Sequence, residues 1–169
     1  MLPRLSNFEV DELISQAGIE KNYLGCIAKD ILAKQKAQAK FAVINNNNSD
    51  QSGSHWTAIY ACTNQPHIIC FDSMGGPPAE EILKFARKCK KKYNKEITYQ
   101  SIQLQQLGSD SCGWYCIYVL AHLARGYSLD SILSEFSPSP TLNETLLAKF
   151  FQPVILNFHH IRSKALKRV

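Results

Sequence analysis

One segment constrains the fold of this chain strongly: residues 112–125 are apolar on almost every side of the helix that they predict. A helix with this pattern cannot lie at a surface and has to be buried. It begins at Cys112, directly after a short polar loop, and ends near Arg125. We therefore expect a fold that encloses a central helix whose first residue is a cysteine.

The remaining segments predict an α+β fold. Ser6 and Glu9 match a capping box ahead of a helix over 7–17, and Thr141 and Glu144 match a second one ahead of a helix over 141–151. Periodicity and turn residues predict strands at 41–45, 55–62, 67–72 and 97–104, helices at 79–92 and 128–136, and an irregular stretch with a short helix at 23–40. The strands 55–62 and 67–72 form an antiparallel hairpin in this prediction. The sum is a small central mixed β-sheet packed between helices, with the buried helix beneath it.

Composition limits the class of protein. The 169 residues are 45% hydrophobic and 20% charged, which predicts one globular domain over 1–169 with a basic tail from about 153. No apolar run approaches the roughly 18 residues that span a bilayer, and no signal-peptide core follows Met1, so we expect neither a membrane protein nor a secreted one. The cysteines are then expected as reduced thiols. No CxxC pair is present, and no metal site is expected.

The loop-to-helix junction at Cys112 is the candidate site for chemistry. A helix N-terminus favours the thiolate form of a cysteine, and a nucleophilic thiolate needs a base, a group that orients the base, and oxyanion donors. His55 opens one strand of the hairpin and Asp72 ends the other, so the two are expected to be neighbours. Gln106 offers a side-chain donor, and the backbone N–H of Cys112 offers a second. Taken singly, each residue is better explained by a structural role: Asp72 as the cap of a turn and Gln106 as a polar residue of a Gln-rich strand.

Together these segments resemble the adenain cysteine proteases. The matching segments are Gly53-Ser-His55-Trp56, Phe71-Asp72-Ser-Met-Gly-Gly and Gln106-Leu-Gly-Ser-Asp-Ser-Cys112-Gly113. Adenains are maturation endopeptidases of adenoviruses, virophages and virus-like transposons, in the same clan as the SUMO-processing proteases. The resemblance implies a protease fold of adenain/SUMO-protease type.

The resemblance also implies a role for each matching residue. Cys112 is the nucleophile, His55 the general base and Asp72 the orienting acid. Gln106 is the oxyanion donor at the spacing of the SUMO proteases, whereas the adenovirus spacing leaves Gln105 as the alternative. Trp56 and Gly113 are expected to bind substrate, with Trp56 as a wall of the substrate channel.

The function implied is a cysteine endopeptidase that cleaves viral capsid and core precursors after Gly during virion maturation. We expect a monomer, in the virion and in the nucleus or virus factory of the infected cell. Adenovirus enzymes bind a peptide cofactor through a cysteine on the strand before the Gln, but the matching position here lies near Glu96 and has no cysteine. A disulfide-linked peptide cofactor is therefore not expected, and no chemical cofactor is required.

Two alternatives remain open from the sequence. The first is a protease that removes SUMO or another ubiquitin-like modifier, although the chain is short for gripping a folded modifier. The second is a basic DNA-packaging or scaffold protein without enzymatic activity, in which the four catalytic residues would be coincidental.

Positive charge is concentrated in one helix and in the C-terminal tail. Residues 84–95 contain seven cations and no acid, and the tail adds Arg162, Lys164, Lys167 and Arg168. This pattern equally predicts a solvated helix face or a face that binds double-stranded DNA without sequence preference, and the resemblance adds DNA as an activator. The candidate DNA-binding residues are Arg87, Lys88, Lys90, Lys91 and Lys92.

Overall fold

A five-stranded mixed sheet forms the centre of the protein. The computed structural model describes residues 1–167. The strands are β1 (Tyr23–Ala28), β2 (Phe41–Asn45), β3 (Trp56–Tyr60), β4 (Ile68–Phe71) and β5 (Ile97–Tyr99), and they lie in chain order across the sheet. The two outer pairs, β1 with β2 and β4 with β5, are parallel, whereas the central strand β3 is antiparallel to both of its neighbours, β2 and β4.

The helices cover both faces of this sheet. They are α1 (Asn7–Gln16), α2 (Lys29–Lys34), α3 (Glu80–Tyr93), α4 (Cys112–Ala124), α5 (Leu129–Leu133), α6 (Pro140–Phe150), α7 (Gln152–Leu156) and α8 (Phe158–Leu166). Because side chains alternate across a strand, Ala42 and Ile44 pack with α2 and α3, whereas Phe41 and Val43 pack with α1, α4 and α8. Two hydrophobic cores thus hold the sheet between two helical layers.

The central helix is α4, as its apolar sequence predicts. Its large side chains Trp114 and Tyr115 are fully buried. Each keeps a hydrogen-bond partner, because Trp114 Nε1 donates to the Pro3 carbonyl over 2.7 Å and Tyr115 Oη donates to the Leu104 carbonyl over 3.0 Å. The α+β class and the mixed sheet between helices are confirmed.

Local predictions were confirmed in most elements and wrong in three. The capping box of Ser6 and Glu9 is present at α1. Strand β1 was missed, because it lies at the sheet edge, is only half-buried along its length, and carries an irregular register around Gly25. Strand β5 ends at Tyr99, well before the predicted 104.

The second predicted capping box is wrong. Helix α6 begins at Pro140 after Ser139, and no side chain caps it. Proline preorganises a first helical turn, so the helix starts without Thr141 as its cap. The Glu144 carboxylate is instead bonded to a loop elsewhere in the fold.

The C-terminal segment, for which the sequence predicts only a basic tail, is folded as α7 and α8. Phe158 and Ile161 of α8 are buried in the core beside α1. Arg162 Nε lies 2.8 Å from Glu9 Oε1, and Lys164 Nζ lies 3.2 Å from Glu12 Oε1. These two cations therefore bind acids of α1, and Arg168 lies outside the described residues.

Candidate active site

The β3–β4 hairpin brings His55 and Asp72 together. His55 immediately precedes β3 and Asp72 immediately follows its antiparallel neighbour β4. Nε2 of His55 lies 2.7 Å from Oδ1 of Asp72, and the same Oδ1 accepts a bond of 2.8 Å from the backbone N–H of Met74. The carboxylate is thus fixed by its own turn, and it fixes the imidazole ring.

The thiol of Cys112 faces this pair from the first residue of α4. Burial lowers the pKa of His55, but hydrogen bonds to Asp72 and Cys112, together with the negative charges of both groups, outweigh burial and raise the pKa to about 9. Since Nε2 is bonded to Asp72, the second ring nitrogen, Nδ1, is the one that remains for the thiol. The Cys112 thiol therefore lies next to an imidazole whose protonated form is favoured by Asp72.

This arrangement predicts an alkaline limit of activity. The raised pKa of His55 implies that kcat/KM falls as pH rises through about 9, because the imidazolium is then lost. Asp72→Asn removes a charge that raises this pKa, so the alkaline limb should move to lower pH. A pH profile of kcat/KM for both proteins tests this, and an unmoved limb contradicts it.

The same titration affects stability. The folded pKa of about 9 lies above the ordinary value of 6.5. The contribution of His55 to stability is therefore complete below about pH 6.5 and is lost as pH rises through about 9.

A cleft of about 540 Å³ opens over these residues. His55, Trp56 and Cys112 line it. The other walls come from the residues around the start of α1, from β1 and α2, from the polar loop between β2 and β3, and from Gln105, Ser109 and Asp110 before α4. The thiol therefore lies in a cleft whose volume is that of a ligand-binding site.

The structure separates the two glutamines before Cys112. Gln105 is buried and lines the cleft, whereas Gln106 is exposed and does not line it. Gln105 Oε1 accepts a bond of 2.6 Å from Ser73 Oγ, and its Nε2 donates to the Ser109 carbonyl over 2.8 Å. The geometry therefore differs from what the resemblance implies for Gln106: of the two side-chain amides, that of Gln105 is the one fixed in the lining of the cleft that also contains Cys112.

Trp56 and Gly113 lie next to each other. Trp56 lines the cleft and its Nε1 donates to the Leu5 carbonyl over 3.3 Å. Gly113 does not line the cleft, and a Cβ at Gly113 would lie 3.2 Å from Trp56 Cδ1 and 3.1 Å from Leu5 Cδ1. Trp56 is therefore part of the cleft lining, whereas Gly113 lies outside it and leaves room for the Trp56 ring. Substrate binding by these two residues stays a prediction.

The other five cysteines have environments that disfavour reactivity. Burial raises the pKa of Cys62 to about 11 and of Cys70 to about 12, and it also raises those of Cys26, Cys89 and Cys116. All six cysteines are free thiols. We expect iodoacetamide at neutral pH to label Cys112 first, as measured by peptide mass mapping; earlier labelling of another cysteine would contradict this.

The predicted DNA-binding residues have mixed surroundings. Lys88 Nζ donates to the Ala33 and Gln35 carbonyls at 2.8 and 3.0 Å, and Lys92 Nζ donates to the Ala37 carbonyl at 3.0 Å. Arg87 and Lys90 pair with acids, Glu80 and Glu96 respectively. Lys91 is exposed on the outer side of α3. Part of this charge therefore serves the fold.

Metal-binding clusters and membrane-spanning helices were searched for in residues 1–167. Within that range, no cluster of His, Cys, Asp or Glu is suited to hold a metal ion. No helix there is long and apolar enough to cross a membrane.

A thiol, an imidazole and a carboxylate that meet at a cleft form the kind of arrangement on which cysteine proteases depend. Residues 28–139 match the family model of the Ulp1 protease family, C-terminal catalytic domain. The chain belongs to this family.

Individual relatives agree with this assignment. A thiol protease of Acanthamoeba polyphaga mimivirus is 31% identical over 98 residues, which cover 54% of this chain and 32% of that protein. A crystal structure of the African swine fever virus protease matches with a TM-score of 0.61 at 17% identity, over 83% of this chain and 64% of that one. A second crystal structure of that protease matches with a TM-score of 0.55 at 19% identity, over 78% of this chain and 62% of that one. The match thus spans about a third of the length of the curated relative.

Proposed function

We propose that this protein is a viral cysteine endopeptidase that cleaves capsid and core precursors during virion maturation. The observation that carries the proposal is that His55 is held between Asp72 and Cys112, in a cleft of about 540 Å³ that His55 and Cys112 both line. The viral origin of the mimivirus relative supports the setting. The proposed location is the virion and the infected cell, and the proposed form is a monomer without a chemical cofactor.

The residues support acyl transfer through the thiol. His55 Nδ1 holds the proton of Cys112, and Sγ attacks the scissile carbonyl carbon to form a tetrahedral intermediate. Its oxyanion accepts hydrogen bonds from the Cys112 backbone N–H and the Gln105 amide. Collapse of the intermediate breaks the C–N bond, and His55 gives its proton to the leaving amine. Water then hydrolyses the thioester, with His55 as the base.

We propose cleavage after Gly, as in the adenain proteases that the sequence resembles, because Trp56 forms a wall of the cleft that contains Cys112. Trp56 is held by its hydrogen bond to the Leu5 carbonyl and packs next to Gly113. The test is a peptide library in which the residue before the scissile bond varies, with Cys112→Ala as background. Preference for Gly supports the proposal, and preference for a large residue at that position contradicts it. Trp56→Ala should relax the preference.

Removal of a ubiquitin-like modifier is the second candidate, since the chain belongs to the Ulp1 family. Incubation with a capsid precursor and, in parallel, with a SUMO fusion separates the two functions. Cleavage of the precursor alone supports maturation, and cleavage of the fusion alone supports deconjugation.

DNA binding through α3 is also proposed, as an activating and localising interaction. Lys91 is exposed, and Lys88 and Lys92 line a groove with Lys34 and Lys36. Double-stranded DNA should bind without sequence preference. The slope of the logarithm of the DNA-binding constant against the logarithm of the salt concentration should become shallower in a variant that combines Lys90→Gln, Lys91→Gln and Lys92→Gln. The expected change is about 0.9 for each lost lysine that contacts a phosphate. The proposal fails if duplex DNA neither binds at low salt nor alters the cleavage rate.

A further inference from the structure

We infer that Glu144 is a positioning residue that holds the loop before Cys112 in the conformation required for the oxyanion donors. The inference rests on the proposed role of Cys112 as the nucleophile. Glu144 lies in the first half of α6, away from the β3–β4 hairpin that supplies His55 and Asp72. It would act through the loop and not by touching substrate.

One oxygen of the Glu144 carboxylate accepts several hydrogen bonds from the loop before α4. Oε1 accepts bonds from Ser111 Oγ at 2.7 Å, Ser109 Oγ at 3.1 Å and the Gln106 backbone N–H at 3.3 Å. Tyr115 Oη, one turn into α4, lies 3.4 Å from the same atom. A single oxygen therefore connects both ends of the 106–111 loop to the first turn of the catalytic helix.

Its neighbour on α6 holds the start of the same segment. Asn143 is fully buried, and its Nδ2 donates to the Leu104 carbonyl over 3.1 Å. The backbone N–H groups of Leu104 and Gln105 in turn donate to the Ser73 carbonyl at 2.8 and 3.0 Å. The segment that carries the cleft glutamine is thus fixed between the turn that follows Asp72 and the beginning of α6.

The Glu144 carboxylate changes how α4 begins at Ser111. Ser6 and Ser128 occupy the N-cap positions of α1 and α5 with ψ of 164° and 155°, and each accepts a bond from its own helix. Ser111 occupies the N-cap position of α4 with ψ of 0°, and its side chain makes no capping bond. Its hydroxyl donates to Glu144 instead. Glu144 therefore stabilises a helix start that lacks the ordinary serine cap.

The conformation of Ser111 at this uncapped helix start sets the direction of the Cys112 backbone N–H. An extended Ser111 would redirect the chain that enters α4 and would rotate the Cys112 peptide plane, which carries one proposed oxyanion donor. The same loop supplies the Ser109 carbonyl that holds the Gln105 amide. Loss of Glu144 should disturb both donors at once, whereas the thiol and His55 keep their own contacts.

The test compares Glu144→Ala, Glu144→Gln and a matched control, Glu135→Ala. Glu135 also accepts from a tyrosine of α4, Tyr118, but that bond lies away from the loop. With a Gly-containing fluorogenic peptide, we expect kcat to fall about 10²-fold in Glu144→Ala, the order of loss seen when an oxyanion donor is removed. KM should stay within about threefold, and Glu135→Ala should match the wild type. Glu144→Gln keeps one acceptor oxygen and should recover about tenfold of the loss.

Two further measurements separate positioning from general destabilisation. Alkylation of Cys112 by iodoacetamide uses no oxyanion hole, so its rate should stay within about threefold in both Glu144 variants. Ser111→Ala should lower kcat less than Glu144→Ala, and the double variant should be no slower than Glu144→Ala alone, because both act through one contact. If Glu144→Ala does not fold, Glu144→Gln and Ser111→Ala carry the same comparison.

The inference is overturned if kcat of the Glu144 variants stays within threefold of Glu135→Ala, if alkylation falls in parallel with kcat, or if the Ser111 and Glu144 effects add. Cys112→Ala is assayed alongside. Residual activity in Cys112→Ala would refute the proposed nucleophile, whereas an inactive Cys112→Ala with a fully active Glu144→Ala would refute only the positioning role.

Discussion

Cys112→Ala is expected to abolish peptidase activity while the fold stays intact. The substitution removes one sulfur atom at the first residue of α4, and among the described residues that atom takes part in no disulfide. Without the thiol no thioester can form, so the rate should fall by about 10⁴-fold or more. The measurement is kcat/KM on a Gly-containing peptide together with the thermal unfolding midpoint.

His55→Ala should lose activity to a similar extent, because the three side chains act as one unit. Asp72→Asn should cost less, since asparagine keeps an oxygen that can accept from the Met74 N–H. Cys116→Ala is the matched control: that thiol lies one turn along the same helix and is fully buried in the core. Activity in Cys112→Ser, or its loss in a well-folded Cys116→Ala, would contradict the assignment of the nucleophile.

The part of the site that local patterns encode was predictable. The end of one strand and the start of its antiparallel partner must be neighbours, and this rule alone places Asp72 beside His55. The apolar run after Cys112 likewise dictates a buried helix. Both inferences use short-range periodicity and the geometry of one hairpin, which do not depend on the rest of the fold.

Features set by distant contacts were not predictable. Thr141 and Glu144 match a capping box in sequence, but the carboxylate forms bonds to Ser109 and Ser111, more than 30 residues earlier. The cation-rich sequence of α3 predicts an exposed charged face, yet Lys88 donates hydrogen bonds to two carbonyls at the C-terminal end of α2. In both cases the side chain forms hydrogen bonds to residues that are distant in sequence. Rules based on the spacing of neighbouring residues cannot predict such contacts.

The choice between the two glutamines depends on the same kind of contact. A spacing of six or seven residues before Cys112 does not decide which amide faces the thiol, because the intervening loop turns through Gly108 in the left-handed region, at φ of 77°. The fixed point is Ser73, whose hydroxyl bonds to Gln105 and whose carbonyl accepts from two backbone N–H groups of the loop. Because these hydrogen bonds from Ser73 fix Gln105, we predict that Gln105 is the oxyanion donor.

Gln105→Ala is therefore expected to lower kcat by about 10²- to 10³-fold with little change in KM, because the lost hydrogen bond forms in the transition state. Gln106→Ala is the matched control and should stay within about twofold, since its exposed side chain is outside the cleft. Gln105→Glu keeps the acceptor for Ser73 Oγ but removes the donor and adds negative charge where the oxyanion forms, so it should be at least as slow as Gln105→Ala. Steady-state kinetics of the three variants, each checked for an unchanged unfolding midpoint, decide between the residues. A larger loss in Gln106→Ala than in Gln105→Ala would return the role to Gln106.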